Sequence, residues 1–146
     1  MVYWLNGRSL HITSNEFASC ARTDIGGLGT DSAINLFAAE TVQIFGNRYA
    51  YGVGKGIILT TCRDITISSE DFSMANESFN ASLGAYGQTN ITANNSIDVQ
   101  INSGVLSTNI SGPNVLLSGG SKVNLNGVTF ANVAWKCCGT GFRSSK

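Results

Sequence analysis

The chain has 146 residues, with nine Lys plus Arg against nine Asp plus Glu and a formal net charge of zero. Only 12% of residues are charged, so it lacks the basic surface of a nucleic-acid binder. At 42% hydrophobic it is no charged disordered tail, and a single His with few acids leaves little material for acid–base chemistry.

Residues 1–33 hold Tyr3, Trp4, His11 and Gly26-Gly27-Leu28-Gly29. They read as an attachment or cap segment, because the terminal units of repetitive folds are commonly atypical. The first eight residues have neither a basic leader nor an apolar run, so no signal peptide is expected and synthesis in a cytoplasm is. No stretch approaches the ~18 apolar residues of a membrane helix.

Residues 34–130 alternate with period two, the mark of strands. Ile34-Asn35-Leu36 is followed by Val42-Gln43-Ile44, Ile65-Thr66-Ile67, Phe72-Ser73-Met74 and Phe79-Asn80-Ala81-Ser82-Leu83. Ile97-Asp98-Val99-Gln100-Ile101 is the clearest case, and Val115-Leu116-Leu117, Val123-Asn124-Leu125 and Val128-Thr129-Phe130 complete the series. The best helical candidate, Ala33 to Phe45, ends in a strand-like Thr41-Val42-Gln43-Ile44-Phe45. The expected inward positions are Ile34, Leu36, Val42, Ile44, Ile65, Ile67, Ile97, Val99, Ile101, Val115, Leu117, Val123 and Leu125.

Apolar pairs recur about eight residues apart: Ile34 to Val42, Ile57 to Ile65, Ile97 to Val105, Val115 to Val123. A strand of four or five residues followed by a bend cannot bury its apolar face alone and must stack on neighbours. The bends carry Gly and Asn, which accept positive φ: Asn102-Ser103-Gly104, Ser111-Gly112-Pro113-Asn114, Ser118-Gly119-Gly120-Ser121, Asn126-Gly127. Asn126-Gly127 also suits a hairpin turn, which would argue for an antiparallel sandwich. The expected class is all-β, a β-solenoid. Two windings fit the octads. One chain can turn through three sides in 24 residues, or three chains can intertwine with one strand each per layer. The intertwined homotrimer is preferred because it closes every sheet edge.

Residues 131–146 break the pattern and end in a basic, Ser-rich tail. Trp135, Cys137, Cys138 and Phe142 there are candidates to close an open core end as a tip or cap. The four cysteines, Cys20, Cys62, Cys137 and Cys138, match no zinc or redox motif and read as reduced thiols.

The run from Thr89 to Gly104, continued by Val115 to Gly127, resembles the β-helical central spike of contractile-tailed phages and is similar to the needles of type VI secretion spikes. The resemblance covers about residues 34–130. It implies a rigid homotrimer that docks on a tail hub, baseplate or tube protein and pierces a host envelope. It further implies a place in the virion tail; the residues themselves lead us to expect no cofactor, no metal and no catalysis. Two features depart from that family. Residues 1–33 are too few for its N-terminal OB-fold, and the lone His11 cannot supply an apical His-x-His iron site. Two other readings compete: a receptor-binding or polysaccharide-cleaving tailspike segment, and a secreted β-solenoid adhesin or scaffold. The tailspike reading predicts Tyr49, Tyr51, Tyr86 or Trp4 exposed beside carboxylates, and the adhesin reading predicts one chain per solenoid.

Sites of chemistry are few. His11 has no flanking triad motif. Gly52-Val53-Gly54-Lys55-Gly56 lacks the Ser or Thr that a phosphate loop needs after its Lys and reads as a turn. Asp64, Glu70, Asp71 and Glu77 could pair as glycosidase carboxylates but read first as solvating residues. Glycosylation sequons at Asn76, Asn80, Asn90, Asn94 and Asn109 reflect Asn, Ser and Thr richness.

Overall fold

The computed structural model describes residues 2–18, 32–50, 55–74, 89–107 and 114–131. The described residues are all-β, and every ladder among them is parallel. One sheet stacks β1 (Val2–Leu5), β4 (Ser32–Phe37), β7 (Lys55–Thr60), β9 (Ile91–Asn94) and β11 (Val115–Ser118) in that order. The second stacks β2 (Arg8–Thr13), β5 (Glu40–Phe45), β8 (Arg63–Met74), β10 (Ile97–Ser107) and β12 (Val123–Asn126). Short β3 (Glu16–Ala18) and β6 (Arg48–Ala50) pair with each other, β6 also pairs with β8, and β13 (Thr129–Ala131) pairs with β10. Parallel neighbours cannot be joined by a tight hairpin. Here the chain leaves the first sheet, crosses the second and returns, so that strands adjacent in sequence lie in different sheets.

The step between stacked partners is uneven. Val2 pairs Ile34, a step of 32. Ile34 pairs Ile57, a step of 23. Ile57 pairs Ile91, a step of 34, and Ile91 pairs Val115, a step of 24. The eight-residue spacing of Ile34 and Val42 or Ile57 and Ile65 is the passage from one sheet to the other within a turn. All these ladders join strands of one chain. The 23- and 24-residue steps lie close to the three octads of 24 residues read from the sequence.

The bends are made by left-handed residues that repeat in register. Between the sheets stand Asn6, Ala38, Thr61 and Asn95, with φ of 52°, 49°, 56° and 49°. Their amides stay in the ladder: Ala38 N–H donates to Thr60 O at 2.9 Å and Thr61 N–H to Asn94 O at 2.8 Å. Each such bend costs a non-Gly residue about 1–2 kcal/mol of backbone preference, offset here because no hydrogen bond is lost. A second series, Ser14, Gly46, Ser69, Ser103 and Gly127, bends the second sheet. Gly127 therefore turns the chain between β12 and β13, both parallel partners of β10, and makes no hairpin. The helical candidate Ala33 to Phe45 is β4 and β5, split at Ala38.

The interior is built of columns. Val2, Ile34, Ile57, Ile91 and Val115 form one, and Leu10, Val42, Ile65, Val99 and Val123 another. Of the expected inward residues Ile34, Leu36, Val42, Ile44, Ile65, Ile67, Val99, Ile101 and Val123 are buried, each large one contributing about 1.5–3 kcal/mol. Val115, Leu117 and Leu125 are half-buried against the same core, on β11 and β12, which end the two strand orders among the described residues. Ile97 differs. It stands in the column of Arg8, Glu40 and Arg63, since the left-handed Asp98 (φ 56°) interrupts the alternation between Ile97 and Val99. β1, β2 and β3, within residues 1–33, pair along the same ladders as the later strands. Trp135, Cys137, Cys138 and Phe142 lie outside the described residues, as do Cys20, Tyr51, Glu77 and Tyr86.

Candidate functional site

The most chemically distinct cluster sits inside the bend of the second sheet. Asn15, Asn47 and Glu70 follow the left-handed Ser14, Gly46 and Ser69 in turn; Asn47 and Glu70 are buried, and Asn15 is exposed above them. Glu70 is 2% exposed. Its Oε1 accepts from the Asn47 backbone N–H at 3.2 Å and from Asn47 Nδ2 at 3.1 Å, and its Oε2 accepts from the Tyr49 hydroxyl at 2.7 Å. Asn47 Nδ2 also donates to Ile12 O at 3.0 Å, and Asn47 Oδ1 accepts from Asn15 N–H at 2.9 Å and Asn15 Nδ2 at 3.0 Å. The Tyr49 ring is stacked on Phe72 at 4.0 Å and on Phe17 at 5.3 Å between centroids. In the next turn the column reaches Gly104 (φ 104°), where a Cβ would meet Glu70 O at 2.6 Å, so glycine allows the backbones this approach.

Burial pushes the Glu70 carboxyl above the usual carboxylate range, while the Tyr49 and Asn47 hydrogen bonds pull it back in part. Burial, the Glu70 charge and their hydrogen bond hold the Tyr49 hydroxyl well above the usual phenol range, so Tyr49 is the donor. This arrangement is occluded: the carboxylate that sequence reading placed among solvating or glycosidase acids is an internal acceptor tying three turns together. Its supposed partners stand apart from it. Asp64 is exposed in a left-handed bend, and half-buried Asp71 accepts from the Ser73 N–H at 2.9 Å. The signal that could have found Glu70 is its offset of 23 from Asn47, legible only once the turn lengths are known.

The other bend has a second buried polar group. The Cys62 thiol donates toward Leu36 O and Thr60 O, each at 3.4 Å, and its N–H donates to Ser96 Oγ at 3.1 Å. Burial pushes this thiol up, so it is neutral and inert. Tyr49 is buried and Trp4 half-buried over Gly7, so neither belongs to an exposed aromatic groove. His11 is exposed opposite Gln43, and Gly56 is a strand residue against Phe72 and Asn90, not part of a phosphate loop. Asn90, a sequon residue, is buried. Among the described residues no three His, Cys, Asp or Glu side chains gather as a metal site, and no helix is long and apolar enough to cross a membrane.

The outward faces differ from one another. The first sheet exposes Tyr3, Leu5 and Phe37. The second presents two columns in register, His11–Gln43–Thr66–Gln100–Asn124 and Thr13–Phe45–Ser68–Asn102–Asn126, without an acid, Lys or Arg. Comparison of the chain with family models, curated proteins and solved structures yields no match.

Proposed function

We propose that the chain is a single-chain β-solenoid with a structural and adhesive role, a stiff module that holds flat outer faces toward a partner and performs no catalysis. The observation that supports this reading is the intrachain pairing of both sheets turn upon turn, at steps of 32, 23, 34 and 24 residues. Parallel ladders that continue through the bends give stiffness, since no inner strand leaves without breaking bonds to both neighbours. The occlusion of Glu70 and Tyr49 adds support, because this constellation of carboxylate and phenol among the described residues serves the interior. An envelope-piercing needle of the resembling kind takes its rigidity from three intertwined chains. Here the described strands of one chain stack on one another, an arrangement that supports the scaffold or adhesin reading. The test is the mass in solution by light scattering. A species of 15.4 kDa at micromolar concentration is expected, and a stable trimer would return the reading to the needle, with its hub and envelope partners.

A further inference from the structure

We propose that the outward face of the second sheet binds a neutral polysaccharide lying along the stacking direction; this rests on the adhesive reading above. Stacked strands are about 4.8 Å apart, so five turns give rows about 20 Å long, enough for several sugar units. Gln43, Gln100 and Asn124 are exposed and Thr66 half-buried in one row. Among the described residues none of these four side chains has a hydrogen-bond partner, so their donors and acceptors are unspent. A primary amide offers an acceptor and two donors side by side, which matches the vicinal hydroxyls of a sugar ring. In the adjoining row Phe45 is 51% exposed, an aromatic face for the apolar side of a pyranose.

Charge selects the occupant. Neither row contains Lys or Arg, and the exposed charges that border them, Asp64, Asp98 and Lys122, are of mixed sign, so an acidic polymer or nucleic acid finds no basic field. Neither contains Asp or Glu to hold a basic partner. Phe45 is the only large apolar residue of the two rows, too little for the apolar centre of an interface with a second copy. A neutral polyhydroxyl chain is what the remaining chemistry complements.

Native electrophoresis of the full chain through gels containing galactomannan, xyloglucan or maltodextrin, with polygalacturonate as the acidic polymer, tests this. Retardation by at least one neutral polymer is expected, insensitive to salt because no ion pair is involved. The Gln43→Ala, Gln100→Ala double variant should lose about tenfold in apparent affinity, and Phe45→Ala should weaken binding without changing the far-ultraviolet circular dichroism of the fold. The inference is overturned if none of the neutral polymers retards the protein, if polygalacturonate alone does, or if the variants bind as wild type. Self-association abolished by Gln100→Lys would also overturn it, assigning the face to a second copy. A monomer that binds no polymer refutes this inference alone, whereas a trimer by light scattering refutes the reading beneath it.

Discussion

Replacing Glu70 separates two contributions that the buried column combines: hydrogen bonding and charge burial. Glu70→Ala leaves the Asn47 backbone N–H and the Tyr49 hydroxyl without their acceptor, while Asn47 Nδ2 keeps Ile12 O. Two buried donors left unpaired cost about 1–3 kcal/mol each, so about 2–6 kcal/mol is expected. For a chain of this size that lowers the melting temperature on the order of 10 °C. Glu70→Gln keeps an oxygen for Asn47 but leaves the Tyr49 hydroxyl proton without its acceptor, so its cost should be about 1–3 kcal/mol, below that of Glu70→Ala. The sign of the pH dependence follows from burial. The folded carboxyl titrates above its ordinary value, so its contribution is fully present below about pH 4.3 and is lost as pH rises through the folded pKa. Thermal unfolding by circular dichroism from pH 4 upward should therefore show wild type losing stability relative to Glu70→Gln as pH increases. A difference that is flat with pH, that runs the other way, or a Glu70→Gln variant as damaged as Glu70→Ala would refute this account.

Three further outcomes are expected. Val99→Asp, at a fully buried position, should unfold the chain, since an unpaired buried carboxylate costs several kcal/mol, whereas exposed Gln100→Asp should shift the urea midpoint little; equal effects would place the register wrong by one residue. Gly104→Ala meets Glu70 O at 2.6 Å in a left-handed conformation and should cost about 1–3 kcal/mol, whereas Gly46→Asn, in open space at φ 64°, should be nearly neutral by the same assay. Peptide mapping after brief alkylation of the native protein should find Cys62 unmodified until denaturant is added, because its thiol is buried and neutral; rapid native labelling would mean that this bend opens.

The residues themselves determined which segments are strands and, for most positions, which side chains face inward. Val99 and Ile101 point in and Gln100 points out because side-chain direction alternates with every residue of an extended chain, and burial of the apolar set fixes the choice. That rule failed at Ile97, where the left-handed Asp98 interrupts the alternation; nothing in the type of residue 98 required that conformation. The partner of each strand was decided only in three dimensions. Steps of 23 and 24 residues alternate with steps of 34 and 32, so a search for one repeat length blurs them, and the eight-residue spacing that stands out belongs to the passage between sheets. Glu70 shows the same limit for the site. Beside Ser69 and Asp71 it looks like one more surface acid, and it becomes an internal hydrogen-bond acceptor because the turn before it sets Asn47 and Tyr49 against it. Strand and facing are local properties, written in neighbouring residues, whereas stacking joins residues some two to three dozen positions apart and is settled by turn length and the fit of one layer on the next.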